Sequence, residues 1–223
     1  ICTCLVGSEM CIRDRSAIVL CFIRVTMFEI NEQKKQKIES CLEQLSMLDR
    51  QIVSSPYFTN TEISSLIKYC SQITFREANS ITKTGVVQDF SVCFPAPKTG
   101  AMRKCINHFN VMFALSDIQH YFSAPMSFND IAAQHYKKGS NGIGIHRDGL
   151  LYRDLILIIF LSGRSELFSS DTRSGARTQL IDDKPGRLVM MSGPGFKNLS
   201  DPKSRPMHGV RNITEGRLSL GLR

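Results

Sequence analysis

The stretch "IGIHRDGLL", residues 143–151, places His146 and Asp148 one residue apart, directly after a glycine-containing turn and before an apolar run. Side chains alternate along a β-strand, so these two would lie on the same side of a strand end. Such a pair supplies two thirds of a metal site built from two histidines and one carboxylate. It is also consistent with a simple polar turn, and the choice depends on whether the rest of the chain offers a third ligand.

A third ligand is available far along the chain. Besides His146 the sequence has four histidines, of which His208 lies in "RPMHGV" (205–210), at the start of a late strand-like segment. Two histidines and a carboxylate form the facial triad that suits ferrous iron and leaves further coordination positions open. His146, Asp148 and His208 are therefore the predicted metal ligands. The alternative for His208 is a turn histidine close to a proline.

The last nine residues, "EGRLSLGLR" (215–223), have a strict two-residue alternation. Arg217, Ser219, Gly221 and Arg223 share one face of the predicted strand, and three leucines share the other. If the leucines pack in the core, the arginine face lines a cavity, where each buried guanidinium needs an anionic partner. A dicarboxylate ligand would provide one through bidentate hydrogen bonds. For Arg223, a solvated position at the sheet edge is an open alternative.

Composition and charge set the broad class. With 223 residues, 42% of them hydrophobic, the chain is long enough for one domain with a substantial core. No apolar stretch reaches the roughly 18–20 residues needed to cross a bilayer, so no membrane partner is expected. The net charge of +8 and a sequence pI near 9.2 favour polyanionic partners such as nucleic acid.

The first 26 residues differ from the remainder. Four of the eight cysteines lie in the first 21 residues, and the opening "ICTCLVGSEMCIRDR" resembles a translated adapter sequence. We expect residues 1–26 to be a non-native leader and the natural start to be Met27; a signal peptide built on "AIVLCFI" is the alternative. The other four cysteines show no C-x-x-C spacing. The absence of this spacing is typical of reduced thiols, and we therefore expect a cytoplasmic protein, or a nuclear one if the source is eukaryotic.

Hydrophobic periodicity divides the chain into a helical part and a β-rich part. It predicts amphipathic helices over residues 31–50 and 59–70 and a further helix within 102–122. The turn-rich stretch 81–101 is expected to be a surface loop. After residue 126, short strand-like pieces alternate with glycine, proline and aspartate, which indicates an antiparallel sandwich or barrel. The predicted fold class is α+β.

Two segments carry a resemblance to a known family. The segment "QHYKKGSNGIGIHRDG" (134–149) contains a Tyr-x-x-Gly turn followed by Ile-Gly-x-His-x-Asp, and it strongly resembles the core of the AlkB-like Fe(II)- and 2-oxoglutarate-dependent dioxygenases. The tail, residues 205–223, matches that family's distal histidine and its Arg-x5-Arg ending. The resemblance covers residues 126–223, and "FPAPKTGAMR" (94–103) is weakly similar to a substrate-lid loop.

The resemblance implies a fold and a set of residue roles. The fold would be a double-stranded β-helix, or jelly roll, with N-terminal helices packed on one sheet. Residues 27–125 would form the helical and lid region, and residues 126–223 the jelly-roll core of the same domain. The implied iron ligands are His146, Asp148 and His208, and the implied 2-oxoglutarate contacts are Arg217 for the distal carboxylate, Tyr136, Arg223, and Gln134, where the family usually has asparagine.

The resemblance further implies an oxidoreductase that uses Fe(II), 2-oxoglutarate and dioxygen to dealkylate nucleic acid bases, as in DNA repair. Candidate phosphate contacts are Lys98, Arg103, Lys137, Lys138 and Arg147. The chain has no tryptophan, so stacking on a flipped base would come from residues such as Phe90, Phe94 or Tyr152.

Two other functions remain open from the sequence. One is a 2-oxoglutarate-dependent hydroxylase or demethylase that acts on a protein or a small molecule. The other is a catalytically inactive jelly-roll binding module. In place of the further acidic residues that nucleic-acid dealkylases often carry after His-x-Asp, this chain has "GLL" (149–151), so the motif leaves the substrate open.

Overall fold

The computed structural model describes residues 27–47, 51–78, 80–197 and 205–223. The expected leader, residues 1–26, lies outside the described residues. The elements follow in the order α1 (Glu32–Leu45), β1 (Ile52–Pro56), α2 (Asn60–Cys70), β2 (Arg76–Glu77), β3 (Gln88–Asp89), β4 (Ser91–Cys93), α3 (Gly100–Leu115), a short 3-10 helix (Gln119–Tyr121), β5 (Ile131–Tyr136), β6 (Gly142–His146), β7 (Leu155–Gly163), β8 (Glu166–Ser170), β9 (Gln179–Ile181), β10 (Arg187–Ser192), β11 (Met207–Arg211) and β12 (Arg217–Leu222).

The three predicted helices are present; the first two are shorter than predicted, and the third begins two residues before the predicted range and ends seven residues before its end. Helix α1 begins after Asn31, whose side chain accepts a hydrogen bond from the backbone N–H of Lys34 at 2.9 Å. Helix α2 begins with a capping box between Thr59 and Glu62. Helix α3 ends at Leu115, and the segment that follows forms only one 3-10 turn. In the part of the chain that the structure describes, no helix is long and apolar enough to cross a membrane.

Two antiparallel sheets form the β-rich part. The larger has seven strands in the order β1-β10-β7-β12-β5-β4-β2, and the smaller has five in the order β3-β6-β11-β8-β9. An apolar cluster lies between them, with Ile156 and Val189 from the larger sheet against Ile143, Leu167 and Val210 from the smaller. The fold is the predicted jelly roll within an α+β chain.

The helices cover the other face of the larger sheet. The main hydrophobic core contains Ile38 of α1, Leu66 of α2 and Phe109 of α3 together with Leu157 and Leu220 from the sheet. The three leucines of β12 all belong to this core. The alternation of β12 therefore places its leucines towards the helices, as predicted, and turns Arg217 towards the interior of the jelly roll.

The stretch 81–101 differs from the predicted surface loop. It contributes β3 to the edge of the smaller sheet and β4 to the larger sheet, and Phe90 and Ala96 are buried. These strands are only two and three residues long. An alternating hydrophobic pattern needs about four residues to become visible, so the short β-prone pieces of this turn-rich segment could not be identified as strands from the sequence.

Two glycines allow strands β6 and β11 to pack closely. Gly142 has φ +81°, and a Cβ there would overlap the carbonyl oxygen of Val210. A Cβ on Gly209 would lie 2.8 Å from the ring of Phe168 and 2.9 Å from the carbonyl oxygen of Ile143. Side chains larger than hydrogen would push these strands apart. The close pairing sets the positions of the residues at the end of β6.

Candidate metal centre and the adjoining cavity

Strand pairing brings the three predicted metal ligands together. His146 ends β6 and is the register partner of His208 on β11, while Asp148 follows two residues after His146. The potential ligand atoms of all three residues lie within 4.8 Å of one another. Nε2 of His208 is 3.6 Å from Oδ2 of Asp148. One divalent cation could contact all three side chains, because each ligand bond to such a cation is about 2 Å long.

Hydrogen bonds to backbone carbonyls orient both imidazoles. Nδ1 of His146 lies 2.9 Å from the carbonyl oxygen of Gly144, and Nδ1 of His208 lies 3.4 Å from that of Pro206. A carbonyl only accepts, so each Nδ1 carries the proton and each Nε2 lone pair is free. Ligand histidines in metalloproteins are commonly held in this way.

His208 is kept neutral by its surroundings. Burial and, to a smaller extent, the neighbouring His146 lower its pKa to about 4, while Asp148 acts in the opposite direction. At neutral pH the imidazole is therefore uncharged and able to bind a metal. The donor set of two imidazoles and one carboxylate fits ferrous iron.

A cavity between the two sheets joins the metal ligands to the remaining predicted site residues. Its lining consists of all seven predicted site residues and a set of apolar or small residues: Gln134, Tyr136, His146, Asp148, His208, Arg217 and Arg223, with Ile143, Ile156, Ile158, Leu167, Val210 and Gly221. The structure thus places every residue that the sequence singled out for metal or cosubstrate binding around one space.

Arg217 has an anionic partner within the chain, which the sequence did not reveal. Its Nη1 donates to Oδ2 of Asp183 and, at 2.9 Å, to Oγ of Ser165, and the guanidinium carbon lies 4.4 Å from the ring centroid of Phe160. The expectation that a buried Arg217 depends on a bound ligand for its counter-ion is therefore wrong. Its Nε, however, is buried without a hydrogen-bond partner in the described part of the chain.

Arg223 lies between two aromatic rings. Its guanidinium carbon is 3.9 Å from the ring centroid of Tyr152 and 5.6 Å from that of Phe94. Both contacts are within the range of cation–π attraction. Nε of Arg223 is buried and has no hydrogen-bond partner among the described residues. The side chain lines the cavity, in contrast to the solvated-edge alternative for this residue.

Tyr136 and Gln134 project from β5, next to β12. Tyr136 is almost fully buried, with its ring centroid 4.8 Å from that of Phe90. Burial raises the pKa of its hydroxyl, against the opposing effect of Arg217, so the hydroxyl is protonated and can donate. Gln134 is half-buried and is paired in register with Ser219. Both side chains offer hydrogen-bond donors to the cavity.

Arg147, between the two ligands of the His-x-Asp motif, does not line the cavity. Its Nε donates at 2.9 Å to the carbonyl oxygen of Arg205, while the guanidinium of Arg205 donates to the carbonyl oxygen of Asp148. These reciprocal hydrogen bonds connect the segment that carries Asp148 with the segment that leads into His208. Arg147 and Arg205 therefore stabilise the relative position of the metal ligands.

The three aromatic residues considered for base stacking have different environments. Phe90 is buried in the cluster between the sheets, where no substrate base could stack on it. Phe94 and Tyr152 are partly exposed and flank Arg223. Only the last two can present a ring to a substrate at the edge of the cavity.

Several basic residues considered as phosphate contacts already have partners. Lys98 forms an ion pair with Asp130 at 3.8 Å, and Lys137 pairs with Glu77 at 3.5 Å. Nε of Arg103 donates to a backbone carbonyl oxygen at 2.8 Å. Because both ion pairs are at the surface, they are weak and could be replaced by contacts to phosphate.

Comparison with known proteins extends the structural result. No protein-family model and no curated protein matches the sequence. Solved structures do match the fold. A prolyl hydroxylase from Trichoplax adhaerens, in complex with a hypoxia inducible factor oxygen degradation domain peptide fragment, superposes with a TM-score of 0.62 at 12% identity, covering 86% of this chain and 90% of that one.

Two bacterial structures are similar to this chain to nearly the same extent. A Pseudomonas putida prolyl-4-hydroxylase has a TM-score of 0.60 at 14% identity and covers 83% of this chain and 97% of its own. An oxidoreductase of the 2OG-Fe(II) oxygenase family from Burkholderia pseudomallei has a TM-score of 0.56 at 15% identity, covering 87% and 91%. The chain therefore has the fold of 2-oxoglutarate- and Fe(II)-dependent oxygenases. At these identities the likeness establishes the fold.

Proposed function

We propose that the protein is an Fe(II)- and 2-oxoglutarate-dependent dioxygenase. The observation that carries the proposal is the convergence of His146, Asp148 and His208 in one cavity with two arginines, Arg217 and Arg223. The jelly-roll fold, shared with known oxygenases of this type, supports it. An inactive binding module would have no use for two imidazole Nε2 atoms and a carboxylate directed at one point.

The proposed roles follow from the chemistry of each side chain. His146, Asp148 and His208 hold Fe(II), with both imidazoles fixed by carbonyl hydrogen bonds. When bound, iron and 2-oxoglutarate supply the oxidising chemistry, in which dioxygen is consumed and the cosubstrate is decarboxylated to succinate. The residues of this chain bind and orient both groups, and the apolar cluster between the sheets limits the access of water to them.

The cosubstrate contacts are proposed on the same basis. Arg217 would receive the distal carboxylate of 2-oxoglutarate, since the residue lines the cavity and its Nε has no hydrogen-bond partner among the described residues. The Tyr136 hydroxyl and the Gln134 amide would donate hydrogen bonds to the cosubstrate. Arg223 would lie near the cosubstrate or the substrate, held by its contact with Tyr152.

Oxidative dealkylation of nucleic acid bases is the proposed substrate chemistry. The net charge of +8, the partly exposed rings of Phe94 and Tyr152, and the AlkB-like motifs in residues 134–149 and 205–223 support it. Hydroxylation of an N-methyl carbon gives an unstable product that releases formaldehyde and leaves the N–H of the repaired base. This is the reaction that the basic surface and the aromatic rings would serve.

A second candidate is hydroxylation of a peptide. Two of the similar solved structures are prolyl hydroxylases, and one of them contains a bound peptide fragment. The same iron site would serve this reaction. The two candidates differ in what must lie against the cavity mouth, a flipped base or an extended peptide.

The first test is anaerobic titration with Fe(II) and 2-oxoglutarate, followed by the visible charge-transfer band of the ternary complex. Wild-type protein is expected to develop the band, and Asp148→Ala is expected not to. A wild-type protein without the band contradicts the proposed iron site.

The substrate is tested by substrate-dependent succinate formation. Oligonucleotides with N-methylated bases are compared with the unmethylated oligonucleotides and with proline-containing peptides. Stimulation by methylated oligonucleotides, with release of formaldehyde, supports base dealkylation. Stimulation by peptides alone contradicts it and favours the second candidate.

A further inference from the structure

The Arg217–Asp183 pair is the most deeply buried ion pair of the β-rich part that the structure describes, and both side chains are 1% exposed. Asp183 lies between β9 and β10, outside the elements that carry the metal ligands. We propose that Asp183 is a positioning residue, which turns the Nε–Nη2 edge of Arg217 towards the distal carboxylate of 2-oxoglutarate. The inference rests on the proposed function and assigns a role to a residue outside the cavity.

The hydrogen-bond donors of Arg217 show which edge is available. A guanidinium can grip a carboxylate end-on, through Nη1 and Nη2, or side-on, through Nε and Nη2. Nη1 has two N–H groups, and its two partners are Asp183 and Ser165. The end-on edge is therefore occupied. Nε is buried with no partner among the described residues, so the side-on edge is the one left for a ligand.

A contact with an aromatic ring also restrains the guanidinium of Arg217. Its carbon lies 4.4 Å from the ring centroid of Phe160, which is almost fully buried on β7. The contact with the ring and the two Nη1 hydrogen bonds together limit movement of the guanidinium. Bidentate recognition depends on such preorganisation, because a freely rotating fork loses conformational freedom on binding.

Asp183 acts through Arg217 and not on the ligand itself. Arg217 lines the cavity between the sheets, whereas Asp183 is absent from that lining and borders a surface groove with Phe160 and Ser165. The carboxylate of Asp183 thus contacts Arg217 from the side that faces away from the cavity. Oδ1 of Asp183 has no hydrogen-bond partner in the described part of the chain, so the side chain is held through its Oδ2 contact with Arg217.

The alternative is that Asp183 weakens 2-oxoglutarate binding, and this alternative predicts a change of opposite sign in the dissociation constant. If Asp183 merely neutralised Arg217, it would weaken the attraction for a dianionic cosubstrate, and its removal would tighten 2-oxoglutarate binding. If it positions the guanidinium, its removal weakens binding. The sign of the change in the 2-oxoglutarate dissociation constant therefore separates the two.

The experiment measures cosubstrate binding to Fe(II)-loaded protein under anaerobic conditions by the charge-transfer band. Asp183→Asn keeps the size of the side chain and removes its charge. We expect it to raise the dissociation constant for 2-oxoglutarate about tenfold or more. Its dissociation constant for 2-oxobutyrate, which lacks the distal carboxylate, should be unchanged, and so should its affinity for Fe(II). Asp182→Asn, at the exposed neighbouring position, is the matched control and should change none of these values.

A second variant tests the proposal independently, in case Asp183→Asn does not fold. Ser165→Ala removes the other Nη1 partner from a partly exposed position and should raise the 2-oxoglutarate dissociation constant about threefold to tenfold, the effect of one hydrogen bond. An unchanged or lower constant in both variants, with a normal band in the wild type, overturns the role of Asp183 and leaves the proposed function intact. A wild type that shows no band overturns both. If the variants lose affinity for 2-oxobutyrate as much as for 2-oxoglutarate, the defect is a general structural one, and this result also overturns the positioning role.

Discussion

His146 and His208 are register partners on neighbouring antiparallel strands, and their imidazole ring centroids lie 4.4 Å apart. Direct partners in a sheet point to the same face, so the β6–β11 pairing alone determines that the two rings converge. Asp148 joins them because the chain continues for two residues beyond His146. The pairing of β6 with β11 therefore determines the geometry of the candidate metal centre.

Removal of one ligand is predicted to abolish metal-linked stabilisation. Fe(II) at about 100 times its dissociation constant should raise the free energy of unfolding of the wild type by about 2.7 kcal/mol. His208→Ala should lose this increase, since only two of the three ligands remain. Anaerobic denaturant unfolding with and without Fe(II) measures the effect. His120→Ala, at an exposed histidine, is the control and should keep the full increase.

The pairing of β6 with β11 is predicted to depend on Gly142. Gly142→Ala combines a left-handed backbone with overlap between the new Cβ and the carbonyl oxygen of Val210, and it should cost more than about 4 kcal/mol of unfolding free energy. Gly85→Ala is the matched control, because φ is +78° there and no atom lies within 4 Å of the Cβ position. It should cost only about 1–2 kcal/mol. Equal losses in urea unfolding would contradict the role of close strand approach.

Five residues of the candidate site could be found from local sequence patterns, whereas Tyr136 and Gln134 were implied only by the resemblance to the AlkB-like family. The two-residue alternation of β12 correctly separated Arg217 and Arg223 from the leucines that face the helices. The His-x-Asp spacing placed His146 and Asp148 on one side of a strand end, and His208 was a histidine at the start of a late strand-like segment. The AlkB-like branch and the nucleic acid substrate stay predictions, since the structural likeness extends to enzymes of several kinds, a prolyl hydroxylase and an epimerase among them.

The partners of these residues could not be predicted in the same way. Asp183 pairs with Arg217 through a contact between distant parts of the chain, and the segment "DDK" (182–184) carries no signal for it. Phe90 was a candidate for base stacking, yet its ring lies between the sheets against Tyr136. Hydrophobicity indicates that a ring can be buried, whereas only the three-dimensional fold determines on which side of a sheet it lies.

The hydrogen bonds between Arg147 and Arg205 are predicted to support metal binding without contact with the metal. Arg147→Ala removes the side-chain bond to the carbonyl oxygen of Arg205 and loosens the segment beside Asp148. We expect Fe(II) affinity to fall up to about tenfold, as for the loss of an outer partner of a metal ligand. Anaerobic calorimetry measures the change. Arg153→Ala, at an exposed neighbouring arginine, should leave the affinity unchanged; an equal decrease would indicate a general charge effect.

Buried histidines are predicted to make the protein less stable as the pH falls. Nε2 of His108 lies 2.8 Å from the Tyr57 hydroxyl, and burial lowers the His108 pKa to about 3, assisted by the charge of Lys34. The unfolded chain, with a histidine pKa of about 6.5, binds protons first, so unfolding becomes more favourable below that value. His208, with a pKa of about 4, acts in the same direction.

The magnitude is measurable between pH 6.5 and pH 5 in metal-free protein. Each of these two histidines should contribute a loss of about 1.5 kcal/mol in unfolding free energy over this interval, about 3 kcal/mol together. His108→Gln should reduce the loss by about half, and His120→Gln, at an exposed residue, should not change it. Glu62 has a lowered pKa because its contacts with Lys34 and two backbone N–H groups outweigh its burial, so its contribution is lost only below this interval. An identical loss in His108→Gln and wild type, measured by urea unfolding, would show that His108 is protonated as readily in the folded protein as in the unfolded chain.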